Sequence, residues 1–262
     1  EPHSLPLRPQ AFPRFYFVSD ANLLEILSQG SNPQAIQVHL QSVFASVVRT
    51  DFDPSGTKIT VLYDTTGENI ALEKVVEMVG NVEEWLYKLL VHMQQAVNGV
   101  VQQAATDCET LATDEFTHTN VAQVSLIGIQ IKWTMDCEDA LYRAKNEKSV
   151  MAATAKKNLQ RLNELVAMNL KPDSDLAQFG SWTRTKIETM ITVDVHQRDV
   201  FDDMVKQKIR DIDHFEWQKQ ARFYWDPNKE VAQIVVADVE FAYCNEYLGV
   251  KERLVITPLT DR

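Results

Sequence analysis

The sequence predicts a mainly α-helical fold, an elongated antiparallel helical bundle with two small β-hairpin or sheet insertions. Three observations support this fold class. Apolar residues recur at three- and four-residue steps over long stretches, Gly and Pro interrupt those stretches, and two short segments alternate with period two. We expect an irregular connector at residues 1–11, a helix pair with a small sheet at 12–80, a long-helix bundle at 81–219, and a hairpin with a following segment at 220–262.

The region 12–80 predicts two helices and a hairpin. Residues 15–18 suit a short strand, since aromatic and β-branched side chains favour extended backbone. Asp20 is placed to cap the next helix, and a second helix is expected at 33–48. The stretch "TKITVLYDTTGENIAL" then has β-forming residues on both sides of a Thr-Thr-Gly turn, which predicts strands at 57–64 and 69–72.

The clearest helix is expected at residues 82–111, after "GN". Its apolar positions lie on one face: Val82, Leu86, Leu89, Leu90, Met93, Val97, Val100, Val101, Ala104, Cys108 and Leu111. Further helices are predicted at 121–144, 147–170, 175–206 and 211–219. In the segment 147–170 the expected buried positions are Met151, Ala155, Leu159, Leu162, Val166 and Leu170. Period-two alternation around the turn at 226–229 then predicts the second hairpin.

Charge and cysteine content exclude several classes of partner and site. Twenty-six basic against 37 acidic residues give a formal charge of −11, so neither nucleic acid nor a membrane surface is an expected partner. The longest uncharged stretch, 116–131, is too short and too polar to span a bilayer. Cys108, Cys137 and Cys244 are widely spaced, which favours reduced, buried thiols over disulfides or a zinc site.

No arrangement of residues predicts a catalytic site in this segment. The sequence has no GxSxG, HExxH or GxxxxGK[ST] motif, so we expect no catalytic residue, no bound cofactor and no unaided ATP hydrolysis. His196, Asp199 and Asp203 would share one helical face, which is a conceivable metal site. Basic residues stand nearby at 198, 206 and 208, so a charge network without metal is the favoured interpretation.

Six motifs, in order along the chain, resemble the linker region of dynein heavy chains. They are "FPRFYFVSDANLLEILSQGSNP", "GNVEEWL", "IGIQIKWT", "VHQRDVFDD", "FEWQKQARFYWD" and "NEYLGVKERLVITPLTDR". In that family "EYLG" followed by "RLVITPLTDR" leads into the first AAA+ module, whose phosphate-binding loop comes later. "WTMDCEDAL" and "VHQRDVFDD" look most like an axonemal, outer-arm γ-type heavy chain. The proline-rich start, "EPHSLPLRPQA", departs from the family pattern.

The resemblance implies a mechanical role, that of the C-terminal part of a linker that swings across the motor ring. It implies an ATP-hydrolysing microtubule motor as the parent chain, with ATP and Mg bound there and none in this segment. The implied partners are the AAA+ ring of the same heavy chain, microtubules, and intermediate and light chains. The implied location is the cytoskeleton, in the axoneme of a cilium or flagellum.

The resemblance also implies roles for particular residues. A structural joint is implied at Phe15, Tyr16, Phe17, Leu23, Leu24 and Leu27. Residues 248–258 would connect the linker to the ring, and Gly249 would allow the chain to turn there. Segments in this position of AAA+ modules commonly border the adenine pocket, which makes Leu254, Val255 and Pro258 the candidates for base contact.

Two other classes of function remain open. A helical scaffold that binds another protein through an exposed apolar stripe would use the same long helices, and a phosphate-binding loop downstream in the full gene would argue against it. A metal-dependent helical-bundle enzyme would need His196, Asp199 and Asp203 to meet carboxylates from another helix.

Overall fold

The computed structural model describes residues 11–29 and 32–253. Within these residues the chain is mainly helical with two three-stranded antiparallel sheets, which confirms the predicted fold class. The chain forms two compact units. Residues up to 99 and residues 244–249 make the first unit, and residues 100–243 and those from 250 onwards make the second. The division lies inside the longest helix, whereas the sequence places a regional boundary at Gly80.

The first unit combines short helices with a small sheet. A 3₁₀ helix is followed by three α-helices, three strands and the first part of a long helix: Pro13–Phe17, then α1 (Asp20–Ser28), α2 (Pro33–Gln37), α3 (Leu40–Val43), β1 (Arg49–Phe52), β2 (Lys58–Tyr63), β3 (Asn69–Glu77) and α4 (Val82–Thr110). The unit's buried residues come from all of these elements, among them Phe12, Phe15, Ile26, Phe44, Leu62 and Trp85.

The predicted strand at 15–18 is wrong, because this stretch forms the 3₁₀ helix. Pro13 occupies its first turn, where the fixed φ of proline favours a helical start and outweighs the β-propensity of the aromatic residues. The cap of α1 is Ser19, one residue before the predicted Asp20, and the Ser19 hydroxyl accepts a hydrogen bond from the Asn22 N–H at 3.4 Å.

The predicted helix at 33–48 is also wrong in length. The chain forms α2 and α3 with a break at 38–39, bends at 44–46, and forms a strand from Arg49. The β-branched pair at 47–48 favours this extension, and the Val48 N–H already donates to the Tyr63 carbonyl at 3.0 Å. The sequence analysis missed β1, which follows directly and pairs with β2.

The predicted first hairpin is confirmed. β2 and β3 pair antiparallel with Tyr63 opposite Asn69, and the sheet order is β1-β2-β3. The predicted helix at 82–111 is confirmed as α4, and Leu86, Leu89 and Met93 on its apolar face are buried. Leu90 is only half-buried, so the true stripe is narrower than predicted.

The second unit is a helical body that carries the second sheet. Its elements after α4 are α5 (Thr113–Thr119), α6 (Ala122–Arg143), α7 (Val150–Asn169), α8 (Asp173–Ala177), α9 (Thr183–Lys206), α10 (Phe215–Gln218), β4 (Arg222–Asp226), β5 (Val231–Val236) and β6 (Val239–Ala242). The indole rings of Trp133 and Trp217, 5.2 Å apart, lie in its core beside Phe201 and Leu141. None of the described helices has the length and apolar character to cross a bilayer.

The long helices at 121–144 and 147–170 are confirmed as α6 and α7, and the second hairpin is confirmed with an additional strand, β6. The helix expected at 175–206 is interrupted, since Gly180 adopts a φ of +119° between α8 and α9. Of the short helix expected at 211–219, only the four residues of α10 are helical.

The buried face of α7 differs from the predicted one. Met151 and Leu162 are buried as predicted, but Leu159, Val166 and Leu170 are exposed. The other buried positions of α7 are Val150, Asn158, Leu165 and Met168. Arg161 on the same helix forms an ion pair with the buried Asp194 of α9, with Nε and Oδ1 2.9 Å apart. The buried face of α7 therefore contains polar residues. A search for periodic apolar residues does not find such positions.

Candidate functional site: the C-terminal strap

Residues 244–253 form an irregular segment that we call the C-terminal strap. Its first six residues belong to the first unit, where Arg14 holds Glu246 through two hydrogen bonds of 2.8 and 2.5 Å from its guanidinium. The Arg14 Nη1 also donates to the Val43 carbonyl at 3.2 Å. A two-pronged, half-buried pair of this kind fixes geometry better than an exposed single contact. The strap is therefore attached to the N-terminal helices of the same unit.

Amide groups of α4 hold the start of the strap. The Gln94 side chain donates to the Cys244 backbone carbonyl at 3.1 Å, and the Asn245 side-chain NH₂ donates to the Asn98 side-chain oxygen Oδ1 at 3.1 Å. Asn245 has a φ of +55°, a backbone conformation that asparagine tolerates better than most residues. These contacts secure the strap in the same unit as Arg14.

Gly249 turns the strap over Asp64. Its φ is +60°, and a Cβ added there would overlap the Asp64 Oδ2 and lie 2.5 Å from the Asp64 Cβ. Asp64 is itself fixed, because its Oδ1 accepts hydrogen bonds from the Thr66 N–H, the Thr66 hydroxyl and the Glu68 N–H at 2.7 to 3.0 Å. The turn predicted at Gly249 is confirmed, and both backbone conformation and space require glycine there.

Tyr247 is the largest buried side chain of the strap. Burial raises the pKa of its hydroxyl well above the ordinary tyrosine value, and the carboxylates of Glu68 and Asp64 raise the pKa further because they repel a phenolate. The Tyr247 hydroxyl therefore stays protonated at physiological pH. Its ring anchors the strap through packing.

The last described residues of the strap belong to the second unit. Val250 is buried there, and the Lys251 carbonyl accepts a hydrogen bond from the Thr189 hydroxyl at 3.1 Å. The predicted base-contact residues Leu254, Val255 and Pro258 lie outside the described residues. Their role stays a prediction.

The residues assigned to a structural joint fall into two groups. Phe15 and Leu23 are buried and Leu27 is half-buried, so these three pack within the first unit. The exposed fractions of the other three are high: Tyr16 66%, Phe17 88% and Leu24 54%. Only three of the six residues therefore pack in the core of the first unit. The role of all six as a joint stays a prediction.

The cluster His196, Asp199 and Asp203 lies on one face of α9, as predicted, and its side chains are exposed. Asp199 pairs with Arg198 at 2.7 Å, and Asp203 pairs with Lys206 at 2.8 Å. In the part of the chain that the structure describes, no three His, Cys, Asp or Glu side chains are placed to share a metal ion. The observed ion pairs fit the charge-network interpretation.

The cysteines carry no reactive thiolate in the core. Cys108 and Cys137 are buried as predicted, and burial raises the pKa of the Cys108 thiol to about 11 and that of Cys137 well above the ordinary value. The prediction of burial is wrong for Cys244, which is exposed because it lies in the strap and not inside a helix.

A cavity of about 270 Å³ lies within the second unit, between α6, α9 and the residues before β4. Trp133 and Gln197 line it from below the surface, and His196 and Arg253 lie at its exposed side. The sequence analysis did not predict this cavity, because its residues come from four separate parts of the chain.

Two residues that hold the strap were missed by the sequence analysis. Arg14 stands in a quoted motif, but nothing in the sequence links it to Glu246, 232 positions away. Asp64 was detectable in part, since Asp followed by Thr-Thr-Gly is typical of a turn in which the carboxylate accepts backbone N–H groups.

Comparison with known proteins gives consistent matches. A family model described as dynein heavy chain, N-terminal region 2, matches residues 7–104. Dynein axonemal heavy chain 5 of Rattus norvegicus is 44% identical over 96% of this chain, and the dynein gamma chain of the flagellar outer arm of Chlamydomonas reinhardtii is 40% identical over 95%. The ciliary dynein beta chain of Tripneustes gratilla is 36% identical over 96%.

These matches cover only a small part of each relative. The chain spans 7% of the length of the rat protein and 6% of the two others. Identity is higher to the gamma chain than to the beta chain, in agreement with the resemblance stated from the motifs. Over nearly its whole length, therefore, the chain is similar to dynein heavy chains, with axonemal, ciliary and flagellar ones among the relatives that it matches.

Proposed function

We propose that the chain is the C-terminal part of a dynein linker, a lever that transmits ATP-driven changes of the AAA+ ring to the tail. The proposal includes a parent chain that hydrolyses ATP with Mg, moves along microtubules together with intermediate and light chains, and works in the axoneme of a cilium or flagellum. The names of the relatives, which are axonemal, ciliary and flagellar dynein chains, support this location.

The observation that carries the proposal is the attachment of the C-terminal strap. A lever must pass strain from the segment that enters the ring into a body that resists deformation, and packed cores do so. Both parts of the strap are held by hydrogen bonds to the unit to which they belong. Its residues up to 249 are held by Arg14 and α4 and turn at Gly249, and those from 250 onwards are held by Thr189.

The proposal is tested in the complete heavy chain with Arg14→Gln, which removes the guanidinium that holds Glu246. We expect microtubule gliding to slow more than ATP turnover, because the strap then yields under load. Arg49→Gln is the matched control, since Arg49 belongs to the same unit but pairs with Asp51, two residues away on its own strand, and not with the strap. Equal gliding by the Arg14→Gln variant and the wild type, with unchanged melting curves, would contradict a load-bearing strap.

A second variant, Val255→Asp, tests the predicted contact with the nucleotide. A carboxylate beside a desolvated base pocket and anionic phosphates is unfavourable, so we expect weaker ATP binding and slower gliding with an intact fold. Val79→Asp is the control, because Val79 is a strongly exposed valine. Normal nucleotide affinity in Val255→Asp would contradict a contact between Val255 and the base.

The scaffold alternative retains one observation in its favour. Leu159 and Val166 of α7 and Leu170 at its C-terminal end lie on one side of the helix and are exposed, which is the kind of apolar stripe that receives a partner helix. A phosphate-binding loop downstream in the full-length sequence would favour the lever, and its absence would favour the scaffold.

A further inference from the structure

The apolar side chains of α7 lie on two sides of the helix. The exposed fractions of Leu159, Val166 and Leu170 are 43%, 38% and 79%, whereas Met151 and Leu162 are buried. Since successive residues are about 100° apart around a helix, a rotation of α7 by about a quarter turn would bring the three exposed residues toward the core and keep Met151 and Leu162 there. Two rotational settings of α7 are therefore compatible with apolar contact to the core.

Polar groups occupy the core side of α7 in the observed setting. Asn158 is 1% exposed, and the side chain of Arg161 is 12% exposed. Asp194 of α9, the ion-pair partner of Arg161, is 1% exposed, and its Oδ2 has no hydrogen-bond partner among the described residues. Burying charges has a desolvation cost, and leaving leucine and valine in water forgoes the gain from burying them. Apolar burial alone therefore does not favour the observed setting over the rotated one.

The ion pair between Arg161 and Asp194 opposes the rotation. A quarter turn would carry Arg161 to the solvent side and leave Asp194 buried without its counter-charge, because Asp194 belongs to another helix. Removing one partner from a buried pair is much more unfavourable than removing one from an exposed pair. The other cation that acts on Asp194, Arg198, forms its own pair with Asp199 at 2.7 Å.

The polar contacts of α7 with α5 and α6 are closer to solvent. Lys157 Nζ lies 2.8 Å from Asp136 Oδ1 of α6, and the Thr113 hydroxyl of α5 donates to Glu164 Oε2 at 2.6 Å. The side chain of Lys157 is 57% exposed. Exposed contacts of this kind contribute little to stability. The buried pair is therefore the main polar obstacle to the rotation.

We propose that α7 has a second packed setting, rotated by about a quarter turn, and that the ion pair between Arg161 and Asp194 selects the observed one. A buried polar pair can fix one of two packings that apolar contacts do not distinguish. The exposed stripe of Leu159, Val166 and Leu170 is then at the surface only while the pair is intact, so the pair determines whether the stripe is available to a partner. This inference concerns the second unit alone and does not depend on the lever function.

The test determines which side of α7 faces solvent from the rates at which single cysteines react with N-ethylmaleimide, located by mass spectrometry. Leu159→Cys, Met168→Cys and Ala153→Cys are made in a Cys244→Ser background of the 262-residue chain, since Cys244 is exposed. In the observed setting the cysteines at 159 and 153 should react fast and the one at 168 slowly, because only position 168 is buried. Asp194→Leu removes the carboxylate and offers an apolar contact. With it we expect the cysteine at 159 to react about tenfold more slowly, the one at 168 about tenfold faster, and the one at 153 as before.

Controls separate rotation from unfolding. Asp199→Leu, the same change at an exposed position of α9, should leave all three rates unchanged. If Asp194→Leu also makes the buried Cys108 and Cys137 reactive, the chain has unfolded, and Asp194→Asn, which keeps the shape of the side chain, replaces it with the same opposite changes expected at 159 and 168. Unchanged rates at both positions in a folded Asp194 variant would overturn the proposal, since the pair would then select nothing. Unfolding of both Asp194 variants would overturn it as well, because α7 would have no second packed setting.

Discussion

Gly249 concentrates two independent requirements at one residue, a positive φ and the absence of a Cβ. We expect Gly249→Ala to lower stability by more than the roughly 1–2 kcal/mol that a left-handed backbone costs an alanine, since the new methyl group also meets Asp64. Gly56→Ala is the control, because Gly56 has a φ of +71° with no atom within 4 Å of the added Cβ. Chemical denaturation of both variants measures the difference. Equal losses would show that Asp64 moves aside at no cost.

His118 is a residue whose protonation opposes folding. Burial lowers its pKa below the ordinary value, and the positive charges of Lys186 and Lys171 lower the pKa further, while Asp114 acts in the opposite direction. Its ring stacks on Phe179 with centroids 3.7 Å apart. The folded protein therefore prefers the neutral imidazole.

The sign of the resulting pH dependence follows from linkage. The stability that neutral His118 contributes is complete above the ordinary histidine pKa of 6.5 and is lost as the pH falls below it. We expect the melting temperature of wild type to fall more between pH 7.5 and pH 5.5 than that of His118→Gln. Parallel melting curves across this range would mean that His118 titrates alike in both states.

Within the helix α4, two adjacent leucines differ in burial, and substituting each one tests which face of the helix is in the core. Leu89 is fully buried and Leu90 only half-buried, although both belong to the predicted stripe. We expect Leu89→Ala to destabilise the fold by about 2–5 kcal/mol and Leu90→Ala by clearly less, because the cost grows with the buried apolar surface that is removed and with the cavity that remains. Urea unfolding measures both, and a larger loss in Leu90→Ala would contradict the described face of α4.

Elements were predictable where one pattern lasts for many residues. The helices α4, α6 and α7 each repeat an apolar period over about twenty residues or more, so their positions were found from sequence. The short elements were not predicted correctly. One or two residues, such as Pro13 or the β-branched pair at 47–48, determine the conformation of so short a segment. The buried face of α7 was predicted only in part, because the pairing of Arg161 with Asp194 across two helices is a contact that periodicity does not encode.

The candidate site was predictable only where its cause is local. A glycine turn at 249 and an aspartate turn at 64 follow from neighbouring residue types. The pairing of Arg14 with Glu246 and the meeting of Trp133 with Gln197 at a cavity depend on the fold of residues far apart in sequence. Tertiary contacts of this kind have no signature in a single sequence.

For the whole molecule, the absence of a GxxxxGK[ST] motif from the sequence predicts no ATP hydrolysis by the 262-residue chain alone. We expect phosphate release to stay at the level of a mock purification under conditions in which the full motor turns over. The mock preparation controls for contaminating ATPases. Turnover that rises in proportion to the purified chain would show a nucleotide site that the sequence does not indicate.

The ion pair between Arg14 and Glu246 also has a consequence for how the chain is made. The first unit takes residues from two separate stretches of the sequence, so residues 100–243 are synthesised between Arg14 and Glu246. During translation the second unit's helices leave the ribosome before Glu246 exists, while Arg14 remains without its partner. Closing so long a loop has an entropic cost that grows with the logarithm of its length, which makes the strap a late event in folding. A ribosome that stalls near residue 243 would therefore release a chain whose second unit is nearly complete and whose first unit still lacks its closing segment.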